Sequence, residues 1–220
     1  MRYGICLETW GDYALFSRPE MKVERVSYDI ITPSAARGII DAVYWKPAII
    51  WRIDKIHVCK PIEFINIRRN EVSSKISARS VDSVMNGAAK PLHINTNEHR
   101  QRQQRASMIL KNVHYIIEAH FELTDKAGET DTIEKHYNIA LRRMRKGQCY
   151  HQPCFGCREF PAKFRLIESK VPESGLTGET DLGYMLYDMD FTDPENIQPM
   201  FFRAVMRNGI IDISACEVVR

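Results

Sequence analysis

Between Val113 and Leu123 the chain alternates. Val113, Tyr115, Ile117, Ala119, Phe121 and Leu123 are apolar, while His114, Glu118, His120 and Glu122 hold intervening positions. Successive side chains of a strand point to opposite faces, so a period of two over this length predicts a strand with one buried face. The amino-terminal segment repeats the pattern, with Tyr3, Ile5 and Leu7 on one side and Gly4, Cys6 and Glu8 on the other. The chain is therefore expected to build a sheet, and its remaining elements must cover it.

Two helices are legible. Thr32 is a capping residue, Pro33 suits the first helical position, and Ile39, Ile40 and Val43 give an apolar side. Pro47 stops this helix, which places Tyr44 in its last turn. The second helix is expected from about Asp131 to Lys146, with Asp131 as cap and Glu134 three residues on. Ile133, Tyr137, Ala140, Leu141 and Met144 form its buried stripe, and Gly147 ends it.

Further strands are expected over Lys22–Tyr28, Ile49–Val58, Ile62–Arg69, Cys157–Ile167, Leu182–Phe191 and Met200–Met206. Asn208-Gly209 signals a two-residue hairpin into Ile210–Ile213. From Asn70 to about Arg105 the pattern dissolves into a polar stretch too long for a routine connector. The order strand, helix, strands, helix, strand suggests an α+β chain. A ferredoxin-like (RRM-type) domain over residues 1–168 would precede a small antiparallel β-sheet domain over 169–220.

Composition adds limits. The 31 Lys and Arg exceed the 28 Asp and Glu by only three, so any polyanion must be met by local clusters. No stretch approaches the roughly 20 apolar residues of a membrane helix. Met1 to Gly11 lacks the apolar centre of a signal peptide. A cytoplasmic protein is expected, with its six cysteines reduced.

Several residues carry chemistry. Lys135-His136 falls in the opening turns of the second helix, whose dipole favours a phosphate. RNA can be cut without a metal when a base takes the ribose 2′-hydroxyl proton, the oxygen attacks the adjacent phosphorus in line, and an acid protonates the departing 5′-oxygen. A cation then stabilises the phosphorane. His136 and Lys135 supply a base and a cation, although His136 also borders the apolar stripe and can simply pack there. Tyr44 is a poor base unless a nearby lysine lowers its pKa, but it can position a 2′-hydroxyl or stack on a base; the plainer reading is a core aromatic beside Trp45. Arg142, Arg143, Arg145 and Lys146 can follow an RNA backbone, and Arg68, Arg69, Arg100, Arg102 and Arg105 can extend the track. Cys149, His151, Cys154 and Cys157 offer zinc-type ligands within nine residues, yet one short segment wraps a tetrahedral ion poorly. The chain carries neither a phosphate-cradling glycine loop nor a magnesium-holding acidic motif, so no cofactor and no metal are expected.

The residues match a known family through most of the chain. The matching segments are GDYALFSRPEMKVERVSYDIITPSAARGIIDAVYWKPAIIW (Gly11 to Trp51), PIEFINIRRNEV ending at Val72, and LKNVHYIIEAHF ending at Phe121. They continue with KHYNIALRRMRKG (Lys135 to Gly147), GCREFPAKF (Gly156 to Phe164) and LGYMLYDMDF (Leu182 to Phe191). In these the chain resembles the Cas-five proteins of the type I-C (Dvulg) CRISPR system.

The resemblance implies a ferredoxin-like domain followed by a β-sheet domain. It implies metal-independent cutting of precursor CRISPR RNA (pre-crRNA) at the 3′ base of the repeat hairpin. Retention of the crRNA 5′ handle would follow, inside an interference complex with backbone and large subunits. Some relatives also bind or nick double-stranded DNA. The family's catalytic tyrosine falls on Tyr44, in Tyr-Trp-Lys-Pro, and its Lys-His pair on Lys135 and His136. Cys154 departs from the aromatic residue expected there, which weakens the zinc reading. Two rivals remain at this level: a non-catalytic scaffold that grips the handle, and a zinc-bearing nucleic-acid module.

Overall fold

The computed structural model describes residues 3–21 and 23–220. Its elements run β1 (Gly4–Ala14), β2 (Arg25–Val26), α1 (Pro33–Val43), β3 (Ile49–Val58), β4 (Phe64–Val72), α2 (Ala78–Met85), β5 (Arg102–Leu123), α3 (Ile133–Arg145), β6 (Lys163–Leu166), β7 (Glu179–Asp190), β8 (Gln198–Arg207), β9 (Ile210–Asp212) and β10 (Val218–Val219). Among the described residues three α-helices accompany one large, mostly antiparallel sheet.

The alternating segment is its centre. β5 spans 22 residues and pairs on one side with β1, matching Ile5 to Ala119, Leu7 to Ile117 and Thr9 to Tyr115. On the other side it pairs with β3, matching Trp51 to Phe121 and Ile56 to Ile117. β6 adds to the free edge of β1, so the strands stand in the order β6, β1, β5, β3. α1 lies between β1 and β3 in sequence, and α3 lies between β5 and β6. Val113, Tyr115, Ile117, Ala119 and Phe121 are all buried, as the alternation predicts; Leu123, the last of the series, is exposed.

α1 begins as expected: Thr32 Oγ1 accepts from the Ala35 N–H at 3.2 Å, and Pro33 follows. Ala36, Ile39, Ile40 and Val43 recur at helical spacing and are buried in the common core. The helix stops one residue earlier than the sequence suggests. Tyr44 is its C-cap, with extended backbone (φ −151°, ψ 111°), and its N–H still donates to the Ile40 carbonyl at 2.9 Å.

Other expectations need correction. α3 is capped by Thr132, whose Oγ1 accepts from the Lys135 N–H at 3.2 Å; Asp131 is left outside the helix. Ile133, expected in the buried stripe, is exposed, and His136 lies buried in it instead. The polar stretch after Asn70 is partly ordered: β4 continues to Val72, α2 follows, and a short 3-10 turn (His99–Gln101) leads straight into β5. Polar alternation on a two-stranded arm carries no hydrophobic period, so the sequence hides it. Of the extended stretch Lys22–Tyr28 only β2 is strand; Lys22 lies outside the described residues.

Within Cys157–Ile167 only β6 is strand, because the preceding loop folds onto the end of β1. There the Leu15 N–H donates to the Phe155 carbonyl at 3.1 Å. Gly156 permits this contact: its φ is +80°, and a Cβ would stand 2.0 Å from the Leu15 carbonyl oxygen.

The carboxy-terminal strands join the sheet through β9, which pairs with β3. β8 and β9 form the expected hairpin, with Asn208 (φ 50°) and Gly209 (φ 75°) both left-handed, as a type I′ turn requires. β7 pairs with β8 and lies against α1, where Arg37 forms a two-pronged ion pair with Asp188. Among the described residues no helix is long and apolar enough to cross a membrane.

Candidate active site

The carboxyl end of α1 meets the opening of α3. Tyr44 is driven inward because helix α1 ends there and Pro47 follows two residues later than Trp45. Its carbonyl accepts from Trp51 Nε1 at 2.9 Å, so the turn after the helix is tied to β3. Both Tyr44 and His136 are 2% exposed. The Tyr44 hydroxyl and His136 Nδ1 lie 2.7 Å apart, and Phe121 closes the far side of the imidazole edge-on.

The second imidazole nitrogen, Nε2, faces Asp131 Oδ1 at 3.2 Å. The same carboxylate oxygen accepts from Lys135 Nζ at 3.0 Å, and Asp131 Oδ2 accepts from the Gly128 N–H at 3.1 Å. The bond from Lys135, then that from Gly128, holds the Asp131 carboxyl below its ordinary pKa range. An ionised carboxylate only accepts, so Nε2 must carry the hydrogen. In the neutral ring Nδ1 is then an acceptor, and the Tyr44 O–H donates to it. Burial pushes the Tyr44 phenol upward, against the opposing charge of Arg143, so the hydroxyl keeps its proton at neutral pH. The result is a hydroxyl–imidazole–carboxylate chain that can pass a proton from Tyr44 to His136.

Lys135 is half-exposed. Its ammonium is bound to Asp131 and to the Thr130 carbonyl, at 3.1 Å for the latter. The cation that acts on Tyr44 is Arg143, whose guanidinium sits 5.6 Å from the ring centroid and donates to the Val43 carbonyl at 3.0 Å. That bond satisfies a terminal carbonyl of α1 and places positive charge at the negative end of its dipole.

The structure therefore brings Tyr44, Lys135 and His136 into one cluster and adds Asp131, whose place ahead of the helix predicts a cap instead. The spacing Asp131 to Lys135, one helical turn, was the available signal. Arg143, read as a backbone-following residue, is a wall of the same cluster.

The other arginines divide by environment. Arg142 and Lys146 are exposed on the carboxyl half of α3, where Arg145 is engaged by Glu168 through both Nε and Nη2. Arg68, Arg69, Arg102 and Arg105 lie on the β4–β5 arm, with Arg69 opposite Arg105. Arg68 is exposed, whereas Arg69 is held by Glu159 and Ser107 and Arg105 stands near Glu71. Arg100 is paired with Glu98 in the 3-10 turn, and Arg102 contacts His99. As for Cys149, His151, Cys154 and Cys157, among the described residues no three His, Cys, Asp or Glu side chains converge as metal ligands would.

Two curated proteins named CRISPR pre-crRNA endoribonuclease Cas5d are similar along nearly the whole chain. The one from Mannheimia succiniciproducens is 52% identical over 214 residues, covering 95% of this chain and 94% of the relative. The one from Thermus thermophilus is 38% identical, covering 95% and 90%. A crystal structure described as a CRISPR-associated protein shares the fold, with a TM-score of 0.69 at 24% identity and coverage of 99% and 96%. The model of the CRISPR-associated protein (Cas_Cas5) family matches residues 4–214, and the chain belongs to that family.

Proposed function

We propose that this chain is a metal-independent endoribonuclease that cleaves CRISPR repeat hairpins in pre-crRNA, then retains the crRNA 5′ handle within a type I-C interference complex. The observation that carries the reading is the 2.7 Å bond between the Tyr44 hydroxyl and His136 Nδ1, backed by Asp131. Relatives at 52% and 38% identity named as pre-crRNA endoribonucleases support the same conclusion.

Because both imidazole nitrogens are occupied and Tyr44, not His136, borders the neighbouring cleft, His136 acts through Tyr44. The ribose 2′-hydroxyl gives its proton to the Tyr44 oxygen as the phenol passes its own proton to Nδ1. The freed 2′-oxygen attacks the adjacent phosphorus, and the bond to the 5′-oxygen breaks. The departing 5′-oxygen takes its proton from solvent water, and the proton held on Nδ1 returns to solvent through Tyr44 afterwards, so the step balances and leaves a 2′,3′-cyclic phosphate. Lys135, at the positive end of α3, stabilises the charge that builds on the phosphorane. Asp131 fixes the tautomer that leaves Nδ1 free to accept.

The strand order β6, β1, β5, β3, with a helix in each crossover, supports a ferredoxin-like frame for residues 1–168, with 169–220 as its β-rich extension. The arginines of α3 and of the β4–β5 arm are the surfaces assigned to the RNA backbone. The same phosphate chemistry extends to double-stranded DNA as a second ligand. Backbone and large subunits of the complex complete the proposed partners, in the cytoplasm.

The test is cleavage of a cognate repeat RNA in excess EDTA. Product ending in a cyclic phosphate, and no cleavage when the upstream ribose is 2′-deoxy, is the expected result. Cutting of the deoxy substrate removes the proposed nucleophile. Tight binding without cutting leaves the handle-gripping scaffold.

A further inference from the structure

Beside the catalytic cluster lies a cleft of about 280 Å³, lined by Asp41, Tyr44, Trp45, Lys46, Pro47, Arg143 and Tyr150. That volume is at the small end of ligand clefts, which run about 300–1,000 Å³. Two of its walls are aromatic side chains that the fold leaves outside: Trp45 is 57% exposed and Tyr150 is 84% exposed. Neither position is an accident of a loose loop. The Tyr150 N–H donates to the Ala42 carbonyl at 2.8 Å, so the segment after α3 is pinned to the end of α1. Trp45 follows directly on Tyr44, whose own backbone is tied to β3.

A cleft with exposed aromatic side chains, a lysine and an arginine in its lining, and Tyr44 as one wall suits a single nucleotide. The rings take the base face and the cations take its phosphate. Asp41, Lys46 and Arg143 share the lining with the two rings, so the cleft is not the continuous apolar patch a folded protein surface would cover. We propose that this cleft receives one unpaired nucleobase of the RNA, that of a nucleotide flanking the cleaved bond, stacked on Trp45 and Tyr150. The proposal rests on the nuclease reading for its identification of the flanking nucleotide. Stacking on an aromatic contributes ~1–3 kcal/mol per base, and about 1.4 kcal/mol is a tenfold change in affinity.

The experiment measures Kd for repeat RNA made uncleavable by a 2′-deoxyribose at the cut, using the full chain. Trp45→Ala is expected to weaken binding about tenfold and Tyr150→Ala somewhat less, while Trp45→Phe restores most of it because a ring is retained. An RNA abasic at one position beside the cut should bind about tenfold more weakly to the unaltered protein. With that RNA, Trp45→Ala should cause no further loss. Unchanged affinity in Trp45→Ala overturns the proposal. So does a loss that persists with every abasic RNA in the scan, which would assign Trp45 to a protein contact or to the fold. None of these measurements requires turnover, so protein that binds but never cuts defeats the nuclease reading alone.

Discussion

Asp131 Oδ1 stands 3.2 Å from Nε2 of His136, and this contact decides which way a proton can move through the site. A carboxylate there demands a hydrogen on Nε2 and leaves Nδ1 as the acceptor facing Tyr44. Asp131→Asn presents an amide that can offer its own N–H to Nε2, which favours the opposite tautomer. Cleavage should fall about tenfold to a hundredfold, a fraction of the ~10²–10⁴ that positioned proton transfer provides, with RNA affinity unchanged. Single-turnover kinetics alongside a binding curve separates the two; an equal loss in both assigns Asp131 to RNA contact.

Tyr44→Phe removes one oxygen and keeps the ring that fills the space between α1 and α3. If Tyr44 is the group that touches the ribose, single-turnover cleavage should drop about 10²–10⁴-fold while Kd changes little. The variant also leaves His136 Nδ1 buried without a partner, costing about 1–3 kcal/mol of stability. Thermal unfolding checks that the fold survives. Cleavage within a few-fold of normal would return the direct role to His136 or to a bound water.

The arginines of the β4–β5 arm differ although they adjoin in sequence. Arg68 is exposed, while Arg69 is anchored to Glu159 and Ser107. Arg68→Ala should weaken RNA binding and reduce the slope of log Kd against log salt by about 0.7–0.9, the release of one counterion. Arg69→Ala should leave that slope nearly unchanged and lower the melting temperature instead. A salt titration on the two variants is sufficient, and slopes equal to that of the unaltered protein in both would remove the arm from the RNA path.

The core elements were legible where hydrophobic period and capping agreed. β3 has the bounds its apolar residues suggest, and Thr32-Pro33 starts α1. The inner part of β4, to Arg69, was legible too; its outer part, Asn70–Val72 paired with Arg102–Gln104, was not, because its side chains are mostly polar and only backbone pairing defines it. Tyr44, Lys135 and His136 were each visible as candidates. Their convergence was not, since it joins residues 92 apart through the crossing of α1 and α3. Asp131 looks like the cap because Asp is the stronger capping residue of the two, but Thr132 caps the helix while the Asp131 carboxylate is bound by Lys135, His136 and the Gly128 N–H. Trp45 and Tyr150 carry no sequence signal: an exposed aromatic looks like a buried one until the fold is known.

Asp41, on α1 beside the cleft, has a pH signature of the opposite sign to Asp131. Burial, opposed by Arg37 and reinforced by Asp188, pushes its carboxyl up to about 6. The folded protein therefore holds this proton more tightly than the unfolded chain, whose aspartates titrate near 3.9. Stability must decline as pH rises through the window from about 4 to 6, and the penalty is complete above it. Asp41→Asn keeps the shape without the charge. It should raise the melting temperature at pH 8, and the difference from the unaltered protein should shrink as pH is lowered toward 5. Melting curves at the two pH values decide it: a variant less stable at pH 8 would mean that the Arg37–Asp41 attraction outweighs the burial of the carboxylate.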